Sequence, residues 1–187
     1  MREIDPGEVK RVVREVVERA LGPETTPGRI GPESGGVARR VAIGSDHGGY
    51  ELKETIRRAL TEEADWDVHD CGTHSSTAVD YPDFAAAVAR EVAEGRAARG
   101  IVVDSAGIGS SMAANKVPGI RCALCHDDLA VLNGREHNDA NVLALGAKVV
   151  NRGLAMRMVR LFLSTSFGGG RHERRVQKIM ALERGGR

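Results

Sequence analysis

The chain has 187 residues, enough for one ordinary domain with a core and a further segment beside it. Its 27 basic and 26 acidic residues leave a net charge of +1, and aromatics make up 3%, which argues against bulk attraction to nucleic acid or an acidic membrane and against a base-stacking surface. No apolar run approaches the ~20 residues of a membrane span, and the N-terminal stretch lacks the continuous apolar core expected of a secretory signal.

In chain order, the first element is the segment Asp5–Leu21. Val9, Val12, Val13, Val16, Val17, Ala20 and Leu21 recur at helical spacing and form one narrow apolar stripe. Asp5 can cap, Pro6 suits the first helical position, and Glu8 stands where a capping box places its acid. Gly22 and Pro23 stop the helix, and the Pro/Gly/Ser/Thr-rich stretch that follows reads as a flexible linker over 23–39. An amphipathic helix on a tether either docks on its own domain or dimer partner, or lays its valine face into another protein's groove. The pattern resembles the encapsulation peptides of bacterial microcompartment cargo. That resemblance implies a shell or scaffold partner for residues 5–21 and a place inside a microcompartment.

From residue 40 on, strand and helix patterns alternate. "VAIGS", "DWDVHDCG", "RGIVVDS", "IRCALC" and "NVLALG" read as five strands. The intervening helices are "GGYELKETIRRAL", "YPDFAAAVAREVAEG", "SSMAANKV" and "HDDLAVLNGREH". Two more follow, "GLAMRMVRLFLST" and "HERRVQKIMALE". This order predicts an α/β fold, a Rossmann-like three-layer sandwich with a five-stranded parallel sheet, over residues 40–187. Ligands bind such sheets at the carboxyl ends of the strands, where strand order reverses. Asp46 and Asp104 both stand at strand ends, and the two strands are expected to be neighbours across that point.

The loop "GIGSSM" has two glycines of a dinucleotide fingerprint, but Met112 occupies the place of the third, and the loop follows the third strand rather than the first. Its small side chains leave backbone N–H groups open to an anion or a developing oxyanion, or they make a tight turn and nothing more. Asp46 could cap the next helix, or Asp46 and His47 could bind sugar hydroxyls and phosphate respectively. Cys122 and Cys125 form a C-x-x-C match, but residues three apart on a strand point to opposite faces, so neither a shared metal nor a disulfide follows. The third cysteine is Cys71, and the small, odd number fits a reducing cytosol. His137 and Asn138 precede the fifth strand as a polar turn. Arg171 and Arg175 are four apart, so on a helix they would share a face and could fork around a phosphate.

The stretches "GSDHGGYELK", "DCGTHS…VDYPDFA", "GIGSSMAANKVPGIRCALC", "REHNDANVLALG" and "GGRHERRV" run in one order from about Val41 to about Ile179. Together they resemble the ribose-5-phosphate isomerase B family, which includes the galactose-6-phosphate isomerase subunits. The resemblance implies a homodimer, or a tetramer built from two such dimers, with sites made by both subunits. It implies interconversion of aldose and ketose phosphates without metal or organic cofactor. It gives Asp46 and His47 the sugar, with His47 near the phosphate, and lines the pocket with Tyr81. His137 assists ring opening with Asn138 beside it, and Arg171 and Arg175 hold the phosphate. The backbone from Ser105 to Gly109, with Gly107 and Gly109 in it, cradles an enediolate, and Ser110 joins the substrate-binding set.

This chain departs from that pattern at the base. Many members carry "CGTGIG", whose cysteine removes the proton beside the carbonyl, where this chain has "DSAGIG" and hence Asp104. Others use a glutamate where this chain has Ser110. Ala106 replaces a hydroxyl residue, and Ser105 is the candidate to supply that hydroxyl. A carboxylate base works if partial burial raises its pKa towards neutrality, and that is the expectation for Asp104. The rival expectation is that Asp104 caps the following helix and binds sugar hydroxyls without moving protons. The expected activity is sugar-phosphate isomerisation, with a non-catalytic sugar-phosphate-binding protein, or an isomerase of another four- to six-carbon sugar phosphate, as the alternative.

Overall fold

The computed structural model describes residues 39–63, 66–183 and 185. The expected N-terminal helix and nearly all of the linker lie outside the described residues. The elements are β1 (Arg40–Ser45), α1 (Tyr50–Glu62), β2 (Asp67–Asp70), α2 (Tyr81–Ala93), β3 (Arg99–Asp104), α3 (Ile108–Ala114), β4 (Cys122–Leu124), α4 (Asp128–Asn138), β5 (Val142–Gly146), α5 (Arg152–Ser164), a 3-10 turn (Gly170–His172) and α6 (Glu173–Leu182). All strand pairs are parallel, and the order across the sheet is β2-β1-β3-β5-β4. The chain therefore moves outward from β1 to β2 and then restarts on the other side of β1 with β3. That puts the reversal between the strands that end beside Asp46 and Asp104, as the strand–helix alternation predicted.

Alternating strand residues divide into two cores because successive side chains on a strand point to opposite faces. Val41, Ile43, Ile101, Val103, Leu143 and Leu145 meet Leu52, Ile56 and Leu60 of α1 and Met158, Val159 and Phe162 of α5. The other face carries Ala42, Val102, Val142 and Ala144 against Ala85, Val88 and Ala89 of α2 and Ala114 of α3. The second face is built of small residues, so its helix lies close. A Cβ at Gly44 or Gly100 would come within 2.8 Å of a Val88 methyl. Cys122 packs with the second core and Cys125 belongs to the first, which is the opposite-face arrangement their spacing predicts.

One charge is sealed inside this frame. Lys53 of α1 has a fully buried side chain, and its Nζ donates to both Asp70 oxygens at 2.8 and 2.7 Å. Asp70 in turn accepts from the Gly72 N–H at 2.9 Å. The Ser45 N–H donates to the Gly72 carbonyl at 2.7 Å, and the Thr73 N–H to the Ser45 carbonyl at 2.8 Å. The ion pair thus holds the turn after β2 against the end of β1. Among the described residues no helix is long and apolar enough to cross a membrane.

Candidate active site

The predicted site residues fall into two groups at opposite edges of the sheet. Asp46, His47, Tyr81, Asp104, Ser105, Gly107, Gly109 and Ser110 gather at the carboxyl ends of β1 and β3. His137 and Asn138 end α4, where the Ala140 N–H bonds to the Gly134 carbonyl and β5 is about to begin. A five-residue strand, about 15 Å of chain at ~3.3 Å per residue, separates this amino edge from Gly146, which pairs with Asp104.

At the carboxyl edge, local backbone geometry fixes each group. Asp46 is 8% exposed, and its Oδ1 accepts from the Gly49 N–H at 2.9 Å, closing the turn that enters α1. A Cβ at Gly48 would overlap the Ser105 Oγ, so glycine there is what brings the Ser105 hydroxyl against the Asp46–Gly49 turn. His47 is exposed, and its Nδ1 accepts from the Val79 N–H at 3.3 Å. Tyr81, at the start of α2, lays its ring over Gly109: a Cβ at Gly109 would stand 2.6 Å from the ring. Gly107 adopts a left-handed conformation (φ 81°) that turns the loop into α3.

Asp104 is 5% exposed and is the centre of this loop. Its Oδ1 accepts from the Ala106 N–H at 2.7 Å and from the Gly107 N–H, and its Oδ2 from the Ser110 N–H at 2.9 Å. Burial pushes its pKa up, but the Ser110 side chain and the amides of Gly107, Ser110 and Ala106 outweigh burial and hold the carboxyl below the usual range. The expectation of a base raised towards neutrality is therefore corrected. The residue is buried, as expected, but the burial is inside a ring of donors that favours the anion. The same bonds revise the expected cradle, because the amides of Ala106 and Gly107 are occupied by Asp104 itself.

At the amino edge the groups meet through side chains. The His137 and His172 rings stack with centroids 4.1 Å apart and planes within 5°. Arg171 Nε donates to His172 Nε2 at 3.3 Å. Burial, together with His137, Arg171 and Arg175, holds the His172 pKa below its ordinary value, since each disfavours a further positive charge. Arg171 and Arg175 do not sit on one helix: Arg171 lies in the 3-10 turn that Gly169 and Gly170, both at positive φ, lead into, and Arg175 lies in the first turn of α6, which follows directly.

Three residues at these edges were passed over in the sequence. His172 was visible inside "GGRHERRV" but overshadowed by its arginines. Thr73 is 6% exposed in the turn beside Ser45, and nothing local marks it. Lys148 is exposed just past β5, with its N–H bonded to the Ser105 carbonyl at 3.0 Å, and a lone lysine carries no motif. The three thiols play no part at either edge. Burial raises each, Cys71 to about 12 and Cys125 to about 11, so they stay protonated.

A parallel α/β sheet with carboxylates, a hydroxyl and an imidazole at its switch point, and imidazoles beside guanidiniums at its other edge, defines a class of small-molecule enzyme that handles polar, anionic substrates. The chain belongs to the Ribose/Galactose Isomerase family, whose model matches residues 41–179. It is 43% identical over 145 residues to ribose-5-phosphate isomerase B of Escherichia coli, covering 78% of this chain and 97% of that protein. Among solved structures it is similar to ribose-5-phosphate isomerase B of Clostridium thermocellum, with 49% identity and a TM-score of 0.77 over 78% of this chain and 98% of the other. The type B ribose 5-phosphate isomerase of Trypanosoma brucei gives 46% identity and a TM-score of 0.75 over 78% and 99%.

Proposed function

We propose that the chain is an aldose–ketose isomerase of phosphorylated sugars, with ribose 5-phosphate and ribulose 5-phosphate as the default pair, and that two copies complete each site. The observation that carries this reading is the division of the groups: acid–base and hydroxyl-binding residues at one edge, imidazoles and guanidiniums at the other, in a chain whose relatives are named ribose-5-phosphate isomerase B. No single copy can bring both edges to one five-carbon sugar. A second copy can, if its amino edge meets the carboxyl edge of the first.

In this reading His137 of one copy opens the sugar ring and Arg171 and Arg175 grip the phosphate, with His47 and Lys148 of the other copy at the same end of the sugar. Asp46 and the Ser105 hydroxyl bind the hydroxyls. Asp104 is already ionised at neutral pH. Its Oδ1 anchors the loop through Ala106 and Gly107, and its Oδ2 takes the proton beside the carbonyl and returns it to the neighbouring carbon through an enediolate. The low pKa makes this a weaker base than a raised carboxyl would be.

The test is Asp104→Asn assayed on four- to six-carbon sugar phosphates. The expected result is turnover of ribose 5-phosphate by the wild type and a fall in kcat of about a hundredfold or more in the variant, with affinity within a few-fold. A second reading is favoured by one observation, the occupation of both Asp104 oxygens by the loop's own donors: a sugar-phosphate-binding protein without turnover. A wild type inert on the whole panel selects it.

A further inference from the structure

Among the described residues, Arg135 is the one charged group in the amino edge that faces no solvent, with a side chain 1% exposed. It lies on α4, two residues before His137. Its Nη1 donates to Asp139 Oδ1 at 2.9 Å and to the Ala140 carbonyl at 2.6 Å, and its Nε donates to the Thr165 carbonyl at 3.1 Å. Its guanidinium also packs over the Phe162 ring, 5.8 Å from the centroid. Asp139, the residue after Asn138, is held in a left-handed conformation (φ 48°) and accepts from Arg121 Nη2 at 2.9 Å as well.

These contacts join two segments that are far apart in sequence. One is the end of α4 with His137 and Asn138. The other is the turn after α5 that leads through Gly169 and Gly170 to Arg171 and His172. A second tie lies alongside, from the Gly168 N–H to the Glu136 carbonyl at 2.9 Å. Taking a partner away from a buried guanidinium is strongly destabilising, since it leaves charge inside the protein uncompensated. Neither segment can therefore move without breaking a bond that the buried charge needs. The stacked imidazoles of His137 and His172 stand directly beyond this junction, one from each segment.

We infer that Arg135 is a positioning residue: its buried guanidinium sets the register between the α4 end and the Thr165–His172 segment, so that His137, His172 and Arg171 are presented together to one phosphorylated ligand. The ligand rests on the isomerase reading above, whereas the register does not.

The test uses Arg135→Lys in the full chain. Lysine keeps the charge beside Asp139, but its single ammonium cannot reproduce the planar fork that reaches Asp139, Ala140 and Thr165 at once. The expected results are retained cooperative unfolding, shifted imidazole signals of His137 and His172 by NMR, and affinity for inorganic phosphate reduced about tenfold or more by calorimetry. In the isomerase assay KM for ribose 5-phosphate rises by more than kcat falls. Asp139→Asn is the second variant, because asparagine tolerates the left-handed conformation while removing the charge that Arg135 meets. Arg157→Gln is the control. It breaks the exposed pair to Asp128 on the same helix and should leave every readout unchanged.

A folded Arg135→Lys with unmoved histidine signals and wild-type phosphate affinity overturns the inference. If that variant does not fold, the same result in Asp139→Asn overturns it. The histidine signals need neither ligand nor turnover, so a wild type that turns over no sugar phosphate sinks the isomerase reading alone and leaves this one to be judged.

Discussion

The two edges of the sheet are built in different ways. At the carboxyl edge the two carboxylates are held by backbone a few residues away: Asp46 by Gly49, Asp104 by Ala106, Gly107 and Ser110. At the amino edge the groups are held by side chains from segments about 30 residues apart, through Arg135 and a pair of stacked imidazoles. Asp46 and Asp104 at the first edge are buried, and both oxygens of Asp104 are met by donors, whereas Arg171 and Arg175 at the second are exposed and have no carboxylate partner among the described residues. On the proposed reading, stability and anion binding fall to different ends of one molecule. Mutations at the two ends should fail in different ways.

The largest effect expected is from separating the edges. Arg171→Ala with Arg175→Ala removes two charge-assisted grips on phosphate and should lower kcat/KM on the order of a thousandfold, with little change in thermal stability. Asp104→Asn disables the other edge. If each site draws on two copies, refolding the two inactive variants together regenerates one intact site in each hybrid dimer, and about a quarter of wild-type activity returns. No recovery, with hybrids confirmed by native mass spectrometry, breaks the shared-site reading.

An intermediate effect sharpens the contrast in stability. Asp104→Ala leaves three buried amides without their acceptor, at about 1–3 kcal/mol each, and should lower stability by several kcal/mol in urea titration, whereas His137→Ala should lose about 1 kcal/mol or less. The pH dependence follows from the direction of the Asp104 shift. Its folded pKa lies below the unfolded value, so its contribution is complete above that unfolded value, near 4, and is lost as pH falls through the folded one. Asp104→Asn should flatten the loss of stability as pH falls below about 4. An acid limb identical to that of the wild type would show that the carboxylate is not held by the loop.

The smallest effect concerns the seam between loop and helix at the carboxyl edge. Gly109→Ala drives a methyl into the Tyr81 ring, which is 41% exposed and free to swing out. KM should rise by roughly a few-fold at nearly unchanged stability, the range expected of a surface substitution. A loss of more than about 2 kcal/mol in stability would mean that the ring is a structural wedge and not part of the pocket wall.

Much of this was legible in the residues. The β–α alternation, the neighbouring ends of β1 and β3, and the opposite faces of Cys122 and Cys125 all follow from side-chain period and turn chemistry, which are local. The position of His137 just ahead of a parallel strand already implied the amino edge, since a helix between parallel strands runs back to where the next strand starts. Other features were not legible. That Arg171 sits in a 3-10 turn ahead of α6, entered through Gly169 and Gly170 at positive φ, depends on backbone angles that residue spacing does not give. Lys53 and Arg135 look like surface residues of amphipathic helices until their partners, Asp70 and Thr165, arrive from elsewhere.

By itself the sequence determined the architecture and the chemical inventory of each edge, because both rest on short-range rules of period, capping and glycine conformation. Tertiary structure alone decided the direction of the Asp104 shift, a contest between burial and four donors, and the register of His137 with Arg171, which a buried charge imposes on two distant segments. Contests of that kind are settled by distances between atoms, and those exist only once the chain has closed on itself.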